Sequence, residues 1–301
     1  MKDTIEATTE EDQSAEDATF KFFIHKSDVL ARILKDNIDE LAGMSVEEIK
    51  GCLPLAEDGK TVVGKEAEYS PIGGKKVILD SVFEILVPGT GSSIPILIGL
   101  EGQKNPRPGY PLGKRAEYYL ARMVSSQNDG DFPGDNYGEL KKTYSIWCVL
   151  EPRKRDMNTV VRYKMKAEKT YGKSKSEPEE LVTFNVVMMY LGSYNDDLPD
   201  SLAIGTAMFS KMGERKRREL VKDRFKIELD DNELERLNKM TTLGKDKFEH
   251  GKTVGIVNTA VEGILFYMED TGRSIDEALS RYPIPKEHRL EVESEVRKRL
   301  S

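Results

Sequence analysis

The stretch KVILDSVFEILVPGTGSSIPILIGLEGQ, residues 76–103, decides how the rest of the chain is read. Two apolar runs flank Val87-Pro88-Gly89-Thr90-Gly91-Ser92-Ser93, whose proline and glycines are turn chemistry, so the segment reads as two strands. Successive side chains on a strand point to opposite faces. In Lys76–Leu86 one face takes Val77, Leu79, Ser81, Phe83 and Ile85; the other takes Ile78, Asp80, Val82 and Glu84. In Pro95–Gln103, Ile96, Ile98 and Leu100 share one side, and Leu97, Gly99, Glu101 and Gln103 the other. Pairing the strands gathers Asp80, Glu84, Glu101 and Gln103. Glu101 is the most informative of them, because it ends an apolar run where a charge is costly unless paired or bound to a cation. Carboxylate oxygens suit a hard cation such as Mg²⁺ or Mn²⁺. Asp80 and Glu101 are therefore candidate metal ligands, with Gln103 placed to orient water or touch a phosphate. A plain solvated acidic face is the competing reading of the same pattern. The Gly89-Thr90-Gly91 turn is a poor phosphate loop, since it precedes a strand and no Gly-Lys-Ser/Thr follows.

Outward from this pair, the periodicities alternate between helix and strand. Val29, Leu30, Ile33, Leu34, Ile38 and Leu41 recur at helical spacing, with Asp28 placed to cap. Ser45-Val46-Glu47-Glu48 is a capping box, and residues 56–75 read as an irregular connection. After Pro106-Arg107-Pro108, a helix is expected over Leu112–Ser126, burying Leu112, Ala116, Tyr119, Leu120 and Met123. A turn-rich loop over Asn128–Gly138 follows, then two buried strands, Tyr144–Leu150 and Leu181–Leu191. This is an α/β pattern with a mixed central sheet flanked by helices. The turn residues of Gly192–Asp200 mark a boundary, and helical stretches are expected over Lys211–Lys226, Asn232–Met240 and Gly251–Asp270. Ser274-Ile275-Asp276-Glu277 is a second capping box, opening a helix that Pro283 and Pro285 close. The expected organisation is an acidic disordered tail over residues 1–17, an α/β domain over 18–191 and a helical C-terminal region over 201–301.

Composition narrows the function classes. At 301 residues, with 38% hydrophobic and 33% charged residues, the chain is a globular protein with many solvated faces. No run approaches the roughly 18 apolar residues that span a bilayer, and the N-terminus carries no apolar leader. A cytoplasmic protein with no membrane partner is the expectation. Cys52 and Cys148 suggest neither a disulfide framework nor a zinc site, and His25, His250 and His288 lack metal-ligand spacing. The net charge of −7 argues against a generic nucleic-acid binder, but the charge is uneven. Residues 1–20 hold seven acids and one lysine, whereas residues 152–175 hold nine basic residues and two acids. Such a basic band suits a phosphate backbone. Arg153, Lys154 and Arg155, together with Arg215, Lys216, Arg217 and Arg218, are the candidate phosphate contacts; a solvated helix face is the alternative for the second group.

Three segments carry a family resemblance. Ile78-Leu79-Asp80, then Ile98-Gly99-Leu100-Glu101-Gly102-Gln103, then Lys114-Arg115-Ala116-Glu117-Tyr118-Tyr119 resemble the PD-(D/E)XK nuclease-family transposases, including the recombination-promoting nucleases. Tyr137–Ile146 is similar to that family's lead into its next core strand, and the likeness covers about residues 17–191. The resemblance implies a restriction-endonuclease-like core that hydrolyses DNA with Mg²⁺ or Mn²⁺, linked to transposition or recombination. It implies Asp80 and Glu101 as metal ligands, Gln103 in the usual lysine position, Arg115 beside the site and Tyr119 in the core. Glu84 is a weaker supporting residue, and a further acid from the first helix is expected, with Asp28 and Glu40 the candidates. Leu79 stands where the family has proline, and Gln103 where it commonly has lysine. Cutting both strands of DNA commonly takes two sites, so a homodimer is a natural arrangement. A nuclease fold without turnover, acting as a DNA-binding or protein-interaction module, is the alternative.

Overall fold

A computed structural model describes residues 14–65, 68–69, 77–89, 93–127, 135–173, 183–285 and 288–300, with backbone alone for 68, 69, 77 and 242–254. The N-terminal thirteen residues of the expected tail, most of 66–76, the Thr90-Gly91-Ser92 turn, residues 128–134, Lys175 and Leu181-Val182 lie outside the described residues. The chain divides into two compact units, through Thr241 and from Thr242.

The first unit is α/β, with an open, mixed five-stranded sheet. In chain order its strands are β3 (Ser81–Pro88), β4 (Ser93–Gln103), β5 (Lys142–Val149), β6 (Thr159–Lys164) and β7 (Asn185–Tyr190), and in space they run β3-β4-β5-β7-β6. Two short strands, β1 (Glu68–Tyr69) and β2 (Val77–Ile78), pair separately. The three central strands β4, β5 and β7 are parallel; β3 and β6 close the two edges antiparallel. Parallel strands need both faces covered, and both are. On one face Phe83, Ile85, Ile96, Ile98, Leu100, Ile146 and Met189 pack against helices α1 (residues 14–24), α2 (Ser27–Lys35), α5 (Asp200–Phe209) and α6 (Glu214–Phe225). On the other, α4 (Leu112–Ser126) lays Leu112, Ala116 and Leu120 over Trp147, Val149 and Met188. Met123 of the same helix joins Leu79, Val82 and Leu97.

The helices follow their sequence patterns closely. Val29, Leu30, Ile33 and Leu34 of α2 are fully buried, each contributing roughly 1.5–3 kcal/mol by leaving water. Asp28 lies in the first turn of α2, while Lys26 holds the cap position. Ser45 caps α3 (Val46–Lys50) in a reciprocal box with Glu48. His25 bridges the Val62 carbonyl at 2.8 Å and the Ser81 hydroxyl at 2.9 Å.

Three expectations change. First, order begins no later than residue 14, inside the expected tail, because α1 already carries Phe20, Phe23 and Ile24 into the core and extends back from them. Second, the first compact unit does not end at residue 191. Helix α5 is buried all round, so it needs partners on every side, and it finds them in the same core as the sheet. Third, Lys76–Leu86 is not one strand. Pairing breaks at Leu79-Asp80, so Leu79 packs with Val82 instead of with Phe83 and Ile85.

The segments Asn232–Met240 and Gly251–Asp270 both fall within α7 (Asp231–Thr271). The second unit has its own small core, Val257, Val261, Ile264, Leu279, Val292 and Val296, formed with α8 (Ile275–Arg281) and α9 (Arg289–Leu300). Ser274 caps α8 through the expected box with Glu277. Among the described residues no helix is long and apolar enough to cross a membrane.

Candidate active site

The break at Leu79-Asp80 is what builds the site. Ser81 pairs with Leu100, so the next residues on each strand, Asp80 and Glu101, meet at the point where the antiparallel ladder stops. There the two carboxylates interlock with the opposite backbone. The Asp80 N–H donates to Glu101 Oε1 at 2.8 Å, and the Gly102 N–H donates to Asp80 Oδ2 at 2.7 Å. Each carboxylate is thereby oriented through one oxygen.

Glycine at 102 is required by space. A Cβ there would lie 2.8 Å from the ring of Phe20, the residue that anchors α1 over this end of the sheet. Gly102→Ala is therefore expected to cost about 1–3 kcal/mol of stability, measurable by urea denaturation, because a ring in a packed core must shift. A variant as stable as wild type would show that Phe20 moves freely.

The electrostatics are those of carboxylates in excess. Glu101 is 3% exposed. Its carboxyl is raised well above the usual range, first by burial and then by the Asp80 charge, against the Asp80 N–H and Arg115. Asp80 is also raised by burial, opposed by the Gly102 N–H and by Arg115 and Lys21. A third acid comes from α1: Asp17 is pushed up to about 6 by partial desolvation of its carboxyl, then by Asp80 and Glu16. Asp17 is exposed as a residue, so it sits at the rim of the site.

Arg115, on α4, reaches the same place. Its Nη1 donates to Gln103 Oε1 at 3.2 Å and to the Tyr110 hydroxyl at 3.4 Å. Its guanidinium lies 4.9 Å from the Tyr119 ring centre and 5.2 Å from that of Trp147, which holds its plane by cation–π attraction. Gln103 completes the link, its Nε2 donating to the Asn105 carbonyl at 2.8 Å. Asp80, Glu101, Gln103 and Arg115 are thus brought together. Tyr119 is half-buried against Trp147 and not fully in the core.

Other expected participants lie elsewhere. Glu84 does not share the site, because the bend at Leu79-Asp80 separates them and Glu84 is held by Lys65 and Lys141. Asp28 is paired with Arg32 and Lys50. Glu40 accepts from the Tyr144 hydroxyl at 2.9 Å and is bridged to Lys142. The acid of α1 that interacts electrostatically with the pair is Asp17. Its signal was in the sequence: Asp17 and Lys21 are four apart on the helix whose buried hydrophobic residues are Phe20, Phe23 and Ile24.

The basic candidates divide. Arg153 and Arg155 both pair with Asp156, Arg215 with Glu219 and Arg218 with Asp231. Lys154 and Lys216 are exposed. Arg217 is fully buried and cannot reach a nucleic acid; it donates to the Met208 and Ser210 carbonyls at the end of α5. Burial alone overturns that assignment.

Among the described residues no group of three or more His, Cys, Asp or Glu is arranged as a ready metal cage. Mg²⁺ does not demand one, since it is commonly held by one or two carboxylates and keeps several waters. The donor set fits a hard dication: two interlocked carboxylates and a third at the rim, all with proton affinities raised chiefly by burial. No protein-family model matches the chain, and no match is found among curated proteins or solved structures.

Proposed function

We propose that this chain is a metal-dependent DNA endonuclease with a restriction-endonuclease-like core, hydrolysing phosphodiesters at Asp80 and Glu101. The observation that carries this reading is the reciprocal hold of these two carboxylates at the end of the β3–β4 ladder, with Gln103 and Arg115 beside them. Asp80 and Glu101 would hold the ion, with Asp17 nearby. When bound, Mg²⁺ or Mn²⁺ supplies an acidified water and neutralises charge growing on the phosphate. Arg115 and Lys21 supply the fixed positive charge that Gln103 lacks, and the Gln103 amide positions a phosphate or a water. Purified protein is expected to nick plasmid DNA with Mg²⁺ or Mn²⁺ and not with EDTA, and Asp80→Ala is expected to abolish nicking. Equal nicking by that variant would overturn the assignment.

DNA is the proposed partner, gripped through its backbone. Lys154→Glu and Lys216→Glu should each weaken binding about equally for all sequences and lower the log–log salt slope by about one. Sequence-selective loss of affinity would show that they contact bases. A binding module without turnover is the second reading. It is favoured by the commitment of Gln103 to Arg115 and Asn105 and by the glutamine that stands in place of a lysine there. DNA binding with no metal-dependent cleavage would select it.

A further inference from the structure

A wide cleft of about 980 Å³ opens where α1, the loop after α3 and the C-terminal end of α6 come together. Lys21 lines it from α1, Lys60 from the loop, and Lys226 from the residue that caps α6. All three are exposed, and among the described residues none of them forms an ion pair. Like charges gathered in one cleft focus a potential of their own sign there.

The acids of the lining leave this charge in place. Asp28 is bridged to Arg32 and Lys50, and Glu228 to Lys222, so each is matched by a base outside the lining. Asp58 is turned onto its own loop. It accepts from the N–H groups of Lys60 and Thr61, both at 2.8 Å, and from the Thr61 hydroxyl at 2.6 Å. These bonds, the Thr61 hydroxyl first, pull its carboxyl down to about 2, and the Lys60 charge contributes least. Lys26 of the lining is taken by Glu233. Arg236 brings a further cation to the same wall, its guanidinium 4.9 Å from the centre of the Phe22 ring that lines the cleft.

Two residues connect the cleft wall to the acidic pair. His25 lines the cleft and bonds to the Ser81 hydroxyl at 2.9 Å, and that hydroxyl donates to the Asp80 carbonyl at 2.7 Å. Lys21 lines it one helical turn from Asp17, and its charge reaches Asp80.

We infer that this cleft holds the phosphate backbone of a DNA strand whose scissile phosphate lies at Asp80 and Glu101. The inference rests on the nuclease reading above and adds the surface along which its substrate lies. Lysines on three separate elements suit a run of phosphates better than one small anion, which is held by donors converging on a point. Phe22, 40% exposed, gives the sugars an apolar surface on the same wall. Contacts of this kind position DNA without reading its sequence.

The test uses the full chain in EDTA with a fluorescent duplex. The double variant Lys60→Gln, Lys226→Asn removes two of the charges; residue 226 has φ 58°, which asparagine tolerates. The log–log salt slope of binding is expected to fall by about two, and affinity at about 0.1 M salt by roughly fiftyfold. Arg215→Gln with Lys239→Gln removes equal charge from exposed pairs with Glu219 and Glu235, and should move the slope by less than about half a unit. A measurement on wild type stands beside the variants: DNA should slow chemical acetylation of Lys21, Lys60 and Lys226 severalfold, read by mass spectrometry, and leave Lys239 unchanged. An unchanged slope in a double variant with wild-type melting overturns the inference, as does labelling of the three lysines that ignores DNA. So does full protection by pyrophosphate at the same phosphate concentration, which would mark a small-anion site. In each of these cases metal-dependent nicking that is lost in Asp80→Ala leaves the nuclease reading standing. A fallen slope without metal-dependent nicking sinks the nuclease reading and leaves the cleft as a DNA-binding surface.

Discussion

Glu101→Gln is expected to lower metal-dependent DNA cleavage on the order of a thousandfold while raising the metal-free melting temperature at neutral pH. Both effects come from one buried carboxyl. Glu101 is 3% exposed, and burial together with the Asp80 charge raises its proton affinity well above the ordinary glutamate range. Between the unfolded value, about 4.3, and the raised folded value, the native state binds more protons than the unfolded one. Stability therefore falls as pH rises through that window. Asp17, raised to about 6, adds to the same slope. His25 is lowered by burial and opposes it below about pH 6.5, but equally in wild type and variant, so it cancels when the two are compared. Glutamine keeps the oxygen that accepts from the Asp80 N–H and removes the charge, so the variant should melt at a higher temperature than wild type at pH 8. Differential scanning calorimetry in EDTA at pH 5 and pH 8 checks this, with the variant showing the flatter pH dependence. A Glu101→Gln protein less stable than wild type at pH 8 would refute the account. Metal binding should show the opposite trend, tightening from pH 5 to pH 8 as the ligands lose protons.

Arg217→Ala is expected to cost about 3–5 kcal/mol of stability with no direct effect on DNA contacts. The guanidinium is fully buried and donates to the Met208 carbonyl, to Ser210 O at 3.0 Å and to Thr241 Oγ1 at 3.3 Å. These carbonyls belong to the C-terminal end of α5, where a cation is favoured by the helix dipole. Burial lowers the side chain only to about 10, so it stays charged at neutral pH. Alanine would leave the carbonyls without donors and open a cavity. Arg217→Lys should recover only part of the loss, because one ammonium cannot reproduce the planar fork. Urea melts measure both variants. An alanine variant within roughly 1 kcal/mol of wild type would remove Arg217 as the cap of α5. The salt slope of DNA binding should be unchanged in Arg217→Lys, in contrast to Lys216→Glu.

The comparison of Arg217 with Lys216 shows where local sequence stops being informative. Both lie in the run Arg215-Lys216-Arg217-Arg218, and nothing in that run marks one of them as buried. The difference comes from α5, a helix apolar on every side whose carbonyl end needs a donor. Asp17 was misread for a related reason. Its segment is acidic enough to resemble a tail, yet Phe20, Phe23 and Ile24 anchor a helix that carries Asp17 to the strand end.

The local elements and their inward faces were legible from the order of residues alone. Strand alternation put Ile96, Ile98 and Leu100 on one side of β4 and Glu101 with Gln103 on the other; helical spacing picked the buried stripes of α2 and α4; capping boxes placed α3 and α8. These depend on residues two to four apart, which the chain itself keeps adjacent. Which polar groups meet was set by the packing of separate elements. The break at Leu79-Asp80 removed Glu84 from Asp80 and turned Asp80 onto Glu101. The packing of α1 on Gly102 brought in Asp17, and Arg115 arrived from α4. Those contacts depend on how separate elements pack, where a single glycine or a one-residue interruption of a ladder determines which charges face each other.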